Sequence, residues 1–179
     1  TWKYLLICSI GIGVALLGNL SLAVAGRWTQ EARVPLVLDV LLRHADALNP
    51  AWVKAAFIFF LVGYGTKMGL APMHTWLPDA HSEAPSPVSA LLSGALLNCA
   101  FLGILRAHQV CVAAGLGGFS RELLLLFGLL SMGFAAFFVI NQRDYKRLLA
   151  YSSVEHMGIL AVGAGLGGAG TAGAMLHAL

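Results

Sequence analysis

Lys67 is the residue of this chain best suited to carry a proton. It lies 16 residues past Ala51 in an otherwise apolar run, among Gly63, Gly65, Gly69 and Pro72, which disfavour a regular helix and predict a break. A lysine in hydrocarbon costs roughly 2.5 to 3.5 kcal/mol to insert. Because that medium penalises the charged form, the amine can exchange its proton near neutrality. A break also frees carbonyls and admits water beside it. The alternative is a structural lysine that snorkels to the interface or holds one carbonyl.

Glu155 and His156 form a second titratable position. With a helix starting at Gln142 and entering hydrocarbon near Leu148, Glu155 lies ~10 Å deep. Tyr151 and Ser152 then face Glu155, and Ser152 and Ser153 face His156, so both groups have hydroxyl neighbours able to hold water. Proton exchange is one use of such a cluster, and a clamp to a basic partner on another helix is the other. His177 lies inside the last apolar segment.

The connection Pro72 to Pro87 carries His74, Asp79, His81 and Glu83 around Trp76. An aromatic, polar loop at a membrane interface needs no special function. The spacings of the familiar zinc motifs are missing, so no metal is expected. His74, His108, His156 and His177 lie in or beside apolar runs, which raises haem held by two histidines, but sequence places no such pair. There is also no cysteine cluster and no glycine-rich phosphate loop, so no cofactor is expected.

Long apolar helices must position these groups. The chain has 179 residues, 59% of them hydrophobic and only 11% charged, with a mean hydropathy of +0.81. A soluble domain carries about a quarter charged residues, so the composition places the chain in a lipid bilayer. The 21 glycines have no fixed period, prolines number 6, and three cysteines (Cys8, Cys99, Cys111) cannot close a disulfide framework and are expected to be buried thiols. The formal charge of +3 is spread without a basic arm, which argues against nucleic acid as a partner.

Uncharged runs cover Tyr4 to Ala25 (22 residues, ~33 Å as a helix), Pro87 to Leu105 and Leu123 to Ile140. Two further runs contain ionisable groups: Ala51 to Ala71, with Lys54 and Lys67, and Leu148 to Leu166, with Glu155 and His156. A sixth, Gly167 to Leu179, is too short to cross about 30 Å of hydrocarbon. The hydrophobicity is continuous, which excludes the alternating code of a transmembrane barrel. The expectation is a single all-α, polytopic membrane domain over residues 1–179. The start at Thr1 without Met and the short last run read as a piece of a larger subunit. Gly11 with Gly18, Ala90 with Gly94, and the Gly163, Gly167 and Gly170 series are candidate close-packing seams. A surface helix is expected over about 34–48, with an Asp39 to Arg43 pair on its wet face. Asn141 is expected to cap the fifth spanning helix, with Asp144 suiting its positive end. Basic residues near helix ends number six on one side (Arg27, Arg33, Arg43, Lys54, Arg106, Arg121) and four on the other (Lys3, Arg143, Lys146, Arg147), too even a split to fix orientation.

GYGTKMGLAPMHTWLPDAHSEAPSPVSALLSGALLNCAFLGILR (63–106), with RDYKRLLAYSSVEHMGILAVG (143–163), resembles the proton-translocating, antiporter-like membrane subunits of respiratory complex I, cation/proton antiporters and group 4 hydrogenases. The GTK, LLNC and SSVEHMG variants are most similar to the hydrogenase 4 component F branch. The resemblance implies a subunit of fourteen or more helices built from two inverted five-helix repeats, each with a discontinuous helix. This chain then covers roughly the sixth helix to the opening of the eleventh, with the Lys146 and Arg147 side in the cytoplasm of a bacterial inner membrane. By the same resemblance Lys67 is the lysine of the first repeat's broken helix. His177 opens a histidine-containing segment that links the repeats, and His74, Asp79 and His81 belong to the signature. Many relatives carry a second lysine where this chain has Asn98, which can pass a hydrogen bond but holds no extra proton. Glu155 and His156 stand where complex I relatives have smaller polar residues. The resemblance also places the acidic partner of Lys67 before Thr1. The expected function is proton conduction through Lys67, Glu155, His156 and His177, with His74, Asp79, His81, Asn98, Tyr151 and Ser152 in support. It would be driven by other membrane subunits and a peripheral redox module. A Na⁺/H⁺ antiporter subunit and a passive membrane anchor are the alternatives.

Overall fold

The structure, a computed structural model, describes residues 2–26, 35–140 and 142–179. Every regular element among them is helical. The long helices are α1 (Trp2–Ala25), α3 (Pro50–Met68), α6 (Leu97–Ala113), α7 (Gly117–Val139) and α8 (Tyr145–Leu166). Shorter ones are α2 (Leu38–Arg43), α4 (Trp76–Glu83), α5 (Ser86–Leu91) and α9 (Ala169–His177), with α5 running into α6 through a π-turn at Leu92–Leu96. Four stretches are long and apolar enough to cross a membrane: Trp2–Ala25, Pro50–Glu83, Ser86–Ala113 and Gly117–Val139. α8 has the length of a span, 22 residues, but carries Tyr151, Ser152, Ser153, Glu155 and His156 at its centre, so polarity sets it apart.

Small residues decide which helices touch, since lipid gives two apolar helices no hydrophobic reason to associate. In the α1–α3 seam, a Cβ added at Gly63 falls 2.6 Å from the Ala15 nitrogen and 2.7 Å from the Gly11 oxygen. α7 meets α8 where Gly128 and Gly158 abut, each added Cβ lying 2.9 Å from the other's carbonyl oxygen. α8 reverses into α9 through Gly167 and Gly168, both at positive φ (72° and 49°), and Gly163 then packs on Gly170. Among the described residues nothing lies within 4 Å of a Cβ at Gly94, so the Ala90 and Gly94 seam meets no neighbour there.

Gly63→Ala is expected to destabilise the full-length protein by about 1–3 kcal/mol, because the new methyl meets backbone rather than a movable side chain. Gly13→Ala, with nothing within 4 Å, is expected to be neutral or stabilising by up to about 1 kcal/mol. Thermal unfolding in detergent separates the two. Equal melting temperatures would remove the seam from the packing account.

The ends of the bundle sort as the charge distribution suggests. Lys3 on α1 and Arg147 on α8 share Asp79 of α4, at 3.1 and 3.4 Å, while Lys54 lies over the Phe119 ring at the opposite end. The Asp39–Arg43 pair forms at 2.8 Å. Its helix is shorter than expected, six residues followed by a 3₁₀ turn at Ala45–Ala47, and position 34 lies outside the described residues, as do Arg27 and Arg33. Asn141 also lies outside them. α8 begins at Tyr145 rather than Gln142, with Asp144 as N-cap accepting from the Lys146 N–H at 2.9 Å. Cys8 and Cys111 are buried, but Cys99 is exposed: in a membrane helix the outward face is apolar too, and a thiol suits either side.

Candidate functional site

The break beside Lys67 is built from four devices, three within its own segment and one from α7. Gly69 ends α3 in the left-handed conformation (φ 80°), which glycine adopts without a Cβ clash, and its N–H bonds the Gly65 carbonyl. The Leu70 N–H reaches the same oxygen at 2.9 Å. The indole N–H of Trp76, wholly buried, donates to the Thr66 carbonyl at 2.7 Å. Finally, the Ala71 N–H donates to Ser131 Oγ of α7 at 2.8 Å. The freed backbone groups are thus satisfied by protein, which is the condition for a break at membrane depth.

Lys67 occupies the last turn of α3. Its Nζ lies 5.4 Å from the centre of the Tyr4 ring and faces the Cys8 thiol on the same helix α1. No carboxylate pairs with it among the described residues. An ammonium over an aromatic face is held by about 0.5–1 kcal/mol or somewhat more when desolvated.

The segment after the break is a packed second half-helix, not the interface loop its polarity suggests. Trp76, Leu77, Pro78 and His81 of α4 are buried, and His74 lies in a box of Phe134, Phe138 and Tyr151 rings at 6.0, 6.5 and 6.3 Å. His74 Nδ1 and His81 Nε2 are buried with no protein partner among the described residues. Asp79 is half exposed and ties α4 to α1 and α8 through Lys3 and Arg147. Lys146 Nζ adds a hydrogen bond to the Ala84 carbonyl at 3.1 Å.

On the other flank, α6, α8 and α9 enclose a cleft of ≈ 210 Å³ lined by Ser93, Asn98, Ser153, His156 and His177 with apolar neighbours. His156 Nδ1 and His177 Nε2 are 3.1 Å apart, and Ser93 Oγ and Ser153 Oγ are 2.9 Å apart. The Asn98 amide donates to the Gly94 and Ala178 carbonyls, at 2.8 and 3.3 Å, while its Oδ1 is buried and unpartnered among the described residues. The π-turn accounts for the polar pair on α5–α6. Ser93 and Asn98 are five apart, ~140° round an α-helix, and only i→i+5 bonding brings such residues into line.

The candidates therefore fall into two groups. Lys67, His74, Asp79 and His81 gather around the break; Asn98, His156 and His177 line the cleft. Glu155 is adjacent to His156 in sequence but is not among the cleft's lining residues. It sits on the helix stripe that runs from Tyr151, stacked on Phe138, to Gly158, packed on Gly128. Tyr151 therefore serves the His74 box, and neither it nor Ser152 makes a hydrogen bond to Glu155. Sequence reasoning missed the Ser93–Ser153 contact, which has no signature at a separation of 60. It also missed the hydrogen bond of buried His108 Nδ1 to Ser120 Oγ at 2.8 Å, which joins α6 to α7. Among the described residues no group of three or more His, Cys, Asp or Glu side chains is gathered to hold a metal.

Comparison with known proteins follows the same outline. A family model described as NADH:quinone oxidoreductase/Mrp antiporter, transmembrane, matches residues 3–179. The Hydrogenase-4 component F homolog of Methylacidiphilum infernorum (isolate V4) is 45% identical over 170 residues, covering 94% of this chain and 36% of that protein. A chain of the membrane-bound sulfane sulfur reductase, an archaeal respiratory membrane complex, superposes with a TM-score of 0.83 over 99% of this chain and 35% of its own, at 24% identity. A chain of the Mrp complex from Dietzia sp. DQ12-45-1b gives 0.74 at 26% identity, over 94% of this chain and 18% of that one. The chain thus spans about a third of the length of the curated relative it matches.

Proposed function

The chain belongs to the NADH:quinone oxidoreductase/Mrp antiporter membrane family, and from that premise we propose that it carries part of a proton path in a respiratory membrane complex. The observation that carries this reading is Lys67, an amine at the end of a broken helix whose one other charge is Lys54, with no carboxylate partner among the described residues. Lys67 holds the proton at Nζ. A charge moving nearby, on another subunit or on a helix beyond Thr1, shifts the balance between its charged and neutral forms. Moving one charge against 100 mV requires about 2.3 kcal/mol, less than the ~4 kcal/mol between unit charges 4 Å apart at an effective dielectric of 20. One ion pair made or broken is therefore enough.

The second station is the His156–His177 pair. Imidazole both gives and takes a proton, and two ring nitrogens 3.1 Å apart can share one. Asn98 Oδ1, His74 Nδ1 and His81 Nε2 are polar atoms that demand a hydrogen-bonding guest, and water is the guest that continues a proton path. Glu155, on the Tyr151 stripe of α8 and outside the cleft lining, is a branch of this path. The partners are the other membrane subunits and the redox module that drives them, in a bacterial cytoplasmic membrane.

The test is proton uptake by vesicles holding the full-length subunit in its complex. His177→Ala and His156→Ala are each expected to slow uptake by at least about 100-fold, the usual worth of one positioned acid–base group. Uptake at the parental rate in both would return the chain to a passive anchor. The likeness to the Mrp chain favours a second reading, Na⁺/H⁺ exchange. Uptake that requires external sodium in the parental protein would establish that reading instead.

A further inference from the structure

We infer that the His156–His177 pair is also an inhibitory site for a borderline divalent transition ion of the Zn²⁺ class. The two nitrogens that face each other belong to different helices, α8 and α9, and stand 3.1 Å apart. One zinc ion with Zn–N bonds of 2.0–2.1 Å at the tetrahedral angle holds its two nitrogens ~3.3 Å apart. The observed separation is close to that value, and each exposed ring must turn ~35° off the line between the nitrogens to aim its lone pair at a shared tetrahedral ion. Both facing nitrogens must present a lone pair before a metal can bind, which each neutral imidazole does by carrying its proton on its other ring nitrogen.

The surroundings suit a bound ion that keeps water. The cleft is open, ≈ 210 Å³, and bordered by the Ser93 and Ser153 hydroxyls and by Asn98, whose Oδ1 has no protein partner among the described residues. Borderline ions prefer imidazole, whereas Na⁺, Mg²⁺ and Ca²⁺ require oxygen cages that two imidazoles do not provide. With only two protein nitrogens the site is a reversible one, unlike the four-ligand centres that hold structural zinc. Binding stands on this geometry alone. Its consequence, that the ion blocks proton transfer by occupying both lone pairs, rests on the proton-path reading above.

Equilibrium dialysis of the purified full-length protein against zinc chloride tests the site without reference to transport. The parental protein is expected to bind one Zn²⁺ that is weakened at least about tenfold in both His156→Ala and His177→Ala. His44→Ala, at an exposed histidine bonded to its own helix, is expected to bind as the parent does. Zinc binding unchanged in both cleft variants would overturn the proposal. Proton uptake measured with the same zinc then separates the two ideas: binding with inhibition supports both, and binding without inhibition keeps the metal site while removing the pair from the path.

Discussion

Lys67→Met is expected to reduce proton uptake to the level of empty vesicles while the protein still inserts and assembles. Methionine keeps the length and apolar stem of lysine, so the packing of α3 on Tyr4 and Cys8 survives, and losing a charge in hydrocarbon relieves an insertion cost of roughly 2.5 to 3.5 kcal/mol. The fold should therefore tolerate the change while the proton carrier is gone. Lys67→Arg is the sharper variant. It preserves the positive charge and the cation–π contact with Tyr4, but guanidinium is not deprotonated in proteins, so a residue that must release a proton fails as arginine. Uptake at the parental rate in Lys67→Arg would show that only charge is needed there, and at the parental rate in Lys67→Met that the lysine is not on the path.

Trp76→Ala is expected to be the most destabilising single change in the described structure. The side chain is wholly buried, it lies 5.2 Å from the Tyr4 ring centre, and its indole N–H donates to the Thr66 carbonyl at 2.7 Å. Truncating a buried tryptophan costs about 3–5 kcal/mol, and the orphaned carbonyl adds about 1–3 kcal/mol. Trp76→Phe, which keeps most of the ring and loses the donor, is expected to cost about 1–3 kcal/mol, chiefly through that carbonyl. Thermal unfolding in detergent gives the order. Because Thr66 adjoins Lys67, both variants should also slow proton uptake, and a Trp76→Phe protein of parental melting temperature and rate would show that the indole bond does not hold the break.

The break was legible in the sequence because its cause is local: Gly69 must adopt a positive φ and Pro72 lacks an N–H, and both statements follow from residue type. So were the helical class and the Asp39–Arg43 pair, which depend on spacing within one helix. What spans two helices was not legible. His156 and His177 meet because Gly167 and Gly168 reverse the chain, and Ser93, inside a π-turn, meets Ser153 of a helix 60 residues on. Adjacency in sequence also misled. Glu155 and His156 are ~100° apart around α8, so a packed helix sends neighbours to different surroundings, and only His156 lines the cleft.

The π-turn at Leu92–Leu96 has a consequence for any attempt to draw this span as a single wheel. It holds one residue more per turn than the helix on either side, so residues 86–91 and 97–113 follow two separate phase frames. A projection that ignores the insertion misassigns the outward and inward faces of one frame by ~100°. Removing one residue between Ser93 and Asn98 would merge the frames and leave the two four apart, ~40° round a regular helix, whereas regularising the turn with all residues kept would swing Ser93 ~140° from Asn98. In this stretch of the chain, counting matters as much as composition.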